Sequence, residues 1–320
     1  MGIVCCRPTS FNPNSPKLLQ LSRHIKRSSL LSENSSPSDV TLNLFDIEEE
    51  EVFTSKVSLR IINSLKGMSQ LNVENNLYLC GSEEGASIGS FLLKLDNTKG
   101  MTSTVSIMIN AQYSHVYPSM IHVPKNSILV VGGKRQEKCE QFDITNSKWK
   151  YLPDLPEERY HSTLIMDNNK KYVYLFGGFC HNKDSQSKDN NKNCNEILRL
   201  NLENMMIWEK LLVVQGKELL ERNSCGVVNS SDKDNIVYIL GGKDNNKEIT
   251  DDIIEFDIKK RTAKKMTSKL KHKSSFINQQ GVCVSATTFV LFNKKANVHR
   301  INITSFDTYT NIEDDEQLNL

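Results

Sequence analysis

No run of eighteen apolar residues occurs in the 320-residue chain, so no segment has the length and hydropathy of a membrane-spanning helix. The apolar stretch at residues 3–6 is too short to be the core of a secretory signal. A reducing, cytoplasmic setting is therefore expected, with the 8 cysteines kept mostly as thiols. The Asn-x-Ser/Thr sites at Asn34, Asn229 and Asn302 are expected to stay unmodified for the same reason. No Cys-x-x-Cys pair is present. Cys180-His181 and Cys194 flank a long insertion, but their spacing fits no compact zinc pattern and no fourth ligand is evident, so no metal site is assigned. The histidines are scattered, no glycine loop suits a phosphate, and nothing marks a nucleophile with its base. No catalytic residue and no cofactor are assigned. With 40 Lys+Arg against 38 Asp+Glu, there is no dense basic domain suited to nucleic acid.

What the chain does have is repetition. Leu-Phe-Gly-Gly at 175–178 has close copies at 130–133 and 239–242, each closing a short run of β-branched and aromatic residues. The first glycines at 132 and 177 lie 45 apart; those at 177 and 241 lie 64 apart, the excess falling in insertions at 181–193 and near 214–221. This suits a repeating unit of about 45–50 residues. Each copy reads as four short strands. The clearest has 162–166, 172–176, 197–202 and 207–211, with Trp208 in the fourth. Its second strand is apolar throughout, which predicts burial on both faces. The preceding copy spans 119–152 with Trp149 in its fourth strand, and the following copy spans 225–266. An earlier copy at 71–107 has its doublet decayed to Cys80-Gly81, and a late copy at 281–312 has none. The fragment Phe45-Asp46-Ile47 matches Phe142-Asp143-Ile144 and Phe256-Asp257-Ile258, so 41–47 and 52–57 read as the outer strands of one more unit.

These features resemble the kelch repeat, which carries a double glycine after the second strand, an aromatic residue in the third and a tryptophan in the fourth. The matching residues are Gly132, Gly133, Phe142 and Trp149; then Gly177, Gly178 and Trp208; then Gly241, Gly242 and Phe256, where Thr262-Ala263 stands near the missing tryptophan. The resemblance implies an all-β, kelch-type β-propeller of four-stranded blades over residues 40–312, with six blades favoured over five. A WD-type propeller is disfavoured because no Trp-Asp dipeptide closes any unit. The glycines would permit a tight exit where blades crowd, and the tryptophans would fill the space between blades.

Outside the repeats, residues 1–39 read as a disordered basic arm and 313–320 as an acidic tail. Gly2 is placed for N-myristoylation once Met1 is removed, although Cys6 stands where Ser or Thr is usual. Cys5 and Cys6 beside it are candidates for palmitoylation. Arg7, Lys17, Arg23, Lys26 and Arg27 supply charge for an anionic membrane surface. Residues 17–31 also suit a basic amphipathic helix, with Leu18, Leu21 and Ile25 along one face. Arg159 and Arg222 precede the first strands of two units; in related kelch domains arginines at this place often grip acidic peptides, a task suited to the guanidinium fork. The resulting expectation is a monomeric, non-enzymatic interaction scaffold, binding a protein or acidic peptide through propeller loops at the cytoplasmic face of a membrane. A soluble kelch adaptor or cytoskeletal-binding protein without lipid, and a propeller enzyme with an unrecognised active site, are the alternatives.

Overall fold

The computed structural model describes residues 66–276, apart from 75, 83–89, 97–103, 182–190 and 231–232, together with strand backbones within 17–58 and 282–311. Among the described residues six antiparallel sheets of three or four strands follow one another along the chain, with a seventh, two-stranded sheet inserted in one of them. Blade 1 has three strands: β1 (Lys17–Arg23), β2 (Asp39–Asp46) and β3 (Glu51–Ser58). Blade 2 comprises β4 (Met68–Val73), β5 (Asn76–Gly81), β6 (Phe91–Asp96) and β7 (Thr104–Ile107). Blade 3 comprises β8 (Ser119–Val123), β9 (Ser127–Gly133), β10 (Gln136–Asp143) and β11 (Lys148–Leu152). Blade 4 has β12 (Thr163–Met166) and β13 (Tyr172–Phe176), then a separate hairpin of β14 (Phe179–His181) and β15 (Asn191–Asn193), and resumes with β16 (Ile197–Asn201) and β17 (Trp208–Leu211). Blade 5 comprises β18 (Gly226–Asn229), β19 (Ile236–Leu240), β20 (Asp252–Asp257) and β21 (Thr262–Lys269). Blade 6 comprises β22 (Val282–Ser285), β23 (Thr288–Phe292), β24 (Val298–Asn302) and β25 (Thr308–Asn311). The helical element among the described residues is a single 3₁₀ turn, Lys217–Leu220. None of these residues forms a helix long and apolar enough to cross a membrane.

The core lies between blades, because strand side chains alternate between two faces and both faces are covered. On β9, Ile128 and Val130 pack with Leu71, Tyr78 and Leu92 of blade 2, while Leu129 and Val131 pack with Val173, Leu175 and Leu198 of blade 4. On β13, Val173 and Leu175 face blade 3, and Tyr174 and Phe176 face Val237, Ile239 and Phe256 of blade 5. This is why the stretches 128–131 and 172–176 of these second strands carry no charged or amide residue. First strands of successive blades are also tied side by side: the hydroxyls of Ser69, Ser119 and Thr163 donate to the carbonyls of Pro118, Ser162 and Cys225.

Two expectations change. The leucine spacing of residues 17–31 does not produce a helix at its start. Lys17–Arg23 is strand β1, paired with Asp39–Asp46, so an ordered strand lies inside the stretch expected to be a disordered arm. The extra strand makes blade 1 three-stranded where the sequence pattern shows two. Ile47, Lys26, Arg27, Gly2, Cys5, Cys6 and the acidic tail lie outside the described residues.

Candidate functional site

The glycine doublets are where one blade meets the next. Gly177 adopts φ +58° and Gly178 φ +89°, and a methyl group on Gly177 would overlap the Arg222 carbonyl oxygen. The close approach serves a repeated hydrogen bond from the second doublet position to the linker leading into the following blade. Gly133 N–H donates to Arg159 O at 2.9 Å, Gly178 N–H to Arg222 O at 2.8 Å, and Gly242 N–H to Ser274 O at 2.8 Å. In blade 2 the matching bond runs from Ser82 N–H to His115 O at 2.9 Å. The degenerate doublet is therefore Gly81-Ser82 rather than Cys80-Gly81. Strand register agrees, since Ser69 faces Cys80 as Ser119 faces Val131 and Thr163 faces Phe176.

Three of the four residues that accept these bonds, His115, Arg159 and Arg222, send their side chains forward into their own blade. Arg222 Nη1 donates to Gly241 O at 3.2 Å and Thr250 Oγ1 at 2.6 Å, Nη2 to Asp252 Oδ2 at 2.9 Å, and Nε to Leu219 O at 3.1 Å. Burial acts to raise the Asp252 pKa, but hydrogen bonds from Lys265 and Arg222 hold it below the ordinary carboxylate value. Arg159, fully buried, donates to Glu196 O at 2.7 Å and to Glu157 Oε1 at 3.2 Å. His115 does the same work with a ring: its Nδ1 lies 2.7 Å from Gly132 O and its Nε2 3.0 Å from Glu140. Arg159 and Arg222, expected to face an acidic peptide, are instead staples joining consecutive blades. Their register before a first strand is legible in the sequence, but burial and the waiting acceptors are not.

The tryptophans form a second tie farther out. Trp149 Nε1–H donates to Ile109 O at 2.7 Å and Trp208 Nε1–H to Pro153 O at 3.1 Å, in each case the linker leaving the preceding blade. Blade 5 lacks the tryptophan, and there the linker backbone replaces it: Val214 N–H donates to Arg261 O at 2.8 Å and Ala263 N–H to Gln215 O at 2.9 Å. The insertion near 214–221 thus substitutes for the missing indole.

The ends of the blades away from the doublets carry a cavity of about 480 Å³, built from first-to-second strand turns of blades 2, 3 and 4. Glu74, Asn76, Lys94, His122, Lys125 and Lys170 line it. Asn76 Oδ1 and His122 Nε2 are buried there without a hydrogen-bond partner. Burial lowers the His122 pKa, against an opposing hydrogen bond with Asn126 and the Glu74 carboxylate. The cavity thus gathers three lysines, one histidine and one carboxylate from three blades. The sequence signals it only through the Asn- and Lys-rich turn at 168–171.

Residues 36–292 match the KLHDC2/KLHL20/DRC7 Kelch-repeats domain. The chain belongs to the kelch-repeat family. A Kelch repeat-containing protein of Dictyostelium discoideum is 26% identical over 179 residues, covering 48% of this chain and 25% of the relative. The chain thus matches about a quarter of that relative's length.

The doublet end of this kelch propeller holds one cluster that spacing does not reveal. Cys180 on β14 and Cys194 just after β15 come together with Glu157 of the preceding linker, their ligand atoms all within 4.8 Å of one another. A hydrogen bond with Cys194 draws the Cys180 pKa down, while burial pushes that of Cys194 far up. Glu157 is invisible as a partner in the sequence because it lies on the other side of two strands. Residues 85–89 spell Gly-Ala-Ser-Ile-Gly, the wording of a hydrolase nucleophile elbow. Here the pentapeptide joins the antiparallel strands β5 and β6, whereas an elbow turns from strand to helix. It lies outside the described residues.

Proposed function

We propose that this chain is a protein-interaction scaffold whose propeller grips an acidic segment of a partner protein in the lysine-lined cavity. Kelch-family membership supports the general role, and the cavity lined by Lys94, Lys125 and Lys170 carries the specific one. Carboxylates of the partner would meet the lysines. Binding of a labelled hexaglutamate peptide to the purified protein tests this. The Lys125→Glu/Lys170→Glu variant, altered only at exposed turn positions, is expected to bind about tenfold more weakly, as two reversed rim charges would produce. Unchanged affinity, or no binding to the native protein, refutes the reading.

The same site predicts a pH dependence. Burial lowers the His122 pKa, and a carboxylate bound in the cavity beside it would favour its protonated form. Affinity should rise as pH falls through the ligand-bound pKa and level off below the free one. A ligand that raises the His122 pKa by about one should bind up to about tenfold more tightly in acid. His122→Gln should flatten that profile.

The scaffold is further proposed to be held at a membrane surface. With Met1 as initiator, Gly2 takes one acyl chain and Cys5 and Cys6 another, the two-signal requirement for stable attachment. Gly2→Ala and Cys5→Ser/Cys6→Ser variants should shift from the membrane pellet to the soluble fraction. Unchanged partitioning rules out the tether while leaving the cavity reading intact.

A further inference from the structure

Four observations converge on the hairpin β14–β15. It is an insertion in blade 4, outside the four-stranded sheet, yet backbone hydrogen bonds pin it to the Glu157 linker. Phe179 N–H donates to Tyr160 O at 2.8 Å and Tyr160 N–H to Phe179 O at 3.2 Å, while Cys194 N–H closes the hairpin base on Gly178 O of the doublet at 2.8 Å. Cys180 and Cys194 are 1% and 2% exposed, and Glu157 is half-buried with 19% of its side chain exposed. Arg159, which holds Glu157 Oε1, has its Nε buried without a partner, and its charge reaches both sulfurs. A buried donor of this kind needs an acceptor, which a neutral thiol supplies only weakly.

A disulfide is the obvious alternative, and the register argues against it. Cys180 pairs with Lys192, so Cys194 is its diagonal neighbour, two residues further along the opposing strand. Diagonal Cα atoms lie about 7–8 Å apart, beyond the roughly 4.4–6.8 Å that a disulfide spans. Ligand atoms on a tetrahedral zinc ion, with Zn–S near 2.3 Å and Zn–O near 2.1 Å, stand about 3.5–3.8 Å from one another. That separation fits within the observed cluster.

We propose that Cys180, Cys194 and Glu157 form a binding site for a thiophilic divalent metal ion of the zinc class. Binding converts two thiols to thiolates and releases two protons. Charge then closes: two thiolates and one carboxylate balance a dication and the Arg159 guanidinium. The Arg159 charge, which already acts on both sulfurs, would stabilise the thiolates. The half-buried Glu157 side gives the ion a way in and leaves a fourth position for water or a partner's side chain.

Cobalt titration of the full chain tests this, in a Cys5→Ser/Cys6→Ser background that removes the other cysteine pair. One equivalent of Co²⁺ should give a thiolate charge-transfer band and the visible absorption of a tetrahedral ion, both lost on adding Zn²⁺. Cys180→Ser/Cys194→Ser should abolish the band, and Glu157→Gln should keep it with affinity at least tenfold lower. Should the double serine variant misfold, zinc released from the purified native protein by a thiol-capping reagent gives the same answer, one equivalent being expected. No thiolate–cobalt band, a band that survives loss of both cysteines, or no releasable zinc after loading overturns the proposal.

Discussion

Replacing Arg222 with methionine should destabilise the propeller by about 3–5 kcal/mol at neutral pH. The Arg222 and Asp252 side chains are only 8% and 10% exposed, so removing the guanidinium leaves a largely buried carboxylate with Lys265, 2.6 Å from Oδ1, as its remaining ionic partner. It also leaves the Gly241 carbonyl and the Thr250 hydroxyl without their donor. Chemical denaturation measures the loss. Its pH dependence separates charge from shape. The folded pKa of Asp252 is depressed, so the contribution of its ionised form is present above the unfolded carboxylate value, about 3.9. It disappears as pH falls through the folded value. The gap between native protein and variant should therefore narrow in acid. A constant gap would mean that lost packing, not the ion pair, dominates.

Gly177→Ala should be comparably severe for a different reason. An alanine at φ +58° costs about 1–3 kcal/mol for a left-handed backbone. Its methyl also overlaps the Arg222 carbonyl oxygen, and relieving that overlap costs about another 1–3 kcal/mol in a packed site. Moving the oxygen would break the Gly178–Arg222 hydrogen bond and disturb the staple that Arg222 forms on its other side. A melting temperature within a degree of the native value would contradict this account.

The glycines are legible in the sequence because their physical requirement, backbone without a side chain, admits only one residue. The strands between them are legible because both faces are buried, so an apolar run is obligatory. Less constrained features mislead. The blade 2 doublet reads one residue early, as Cys80-Gly81, because Ser82 can fill the second position and breaks the pattern. Residues 17–31 suggest a helix because Leu18, Leu21 and Ile25, three and four apart, suit a helix face; pairing of Lys17–Arg23 with Asp39–Asp46 overrides that spacing. The arginines illustrate the deeper limit. Sequence places a guanidinium at a position, but only the fold shows whether its acceptors lie inside or outside. Cys180, Cys194 and Glu157 meet through a hairpin and a linker, and the cavity lysines come from three blades, so neither grouping has a spacing signature.

The paired ties at each junction have a mechanical consequence. At the boundary of blades 3 and 4, Gly133–Arg159 fastens one radius and Trp208–Pro153 another. Between blades 2 and 3 the same two radii are fastened by Ser82–His115 and by Trp149–Ile109. A joint pinned at one point can swing open; one pinned at two cannot. The spacing of Lys94, Lys125 and Lys170 is therefore set before any partner arrives, and a ligand touching all three blades is spared the entropy of gathering them.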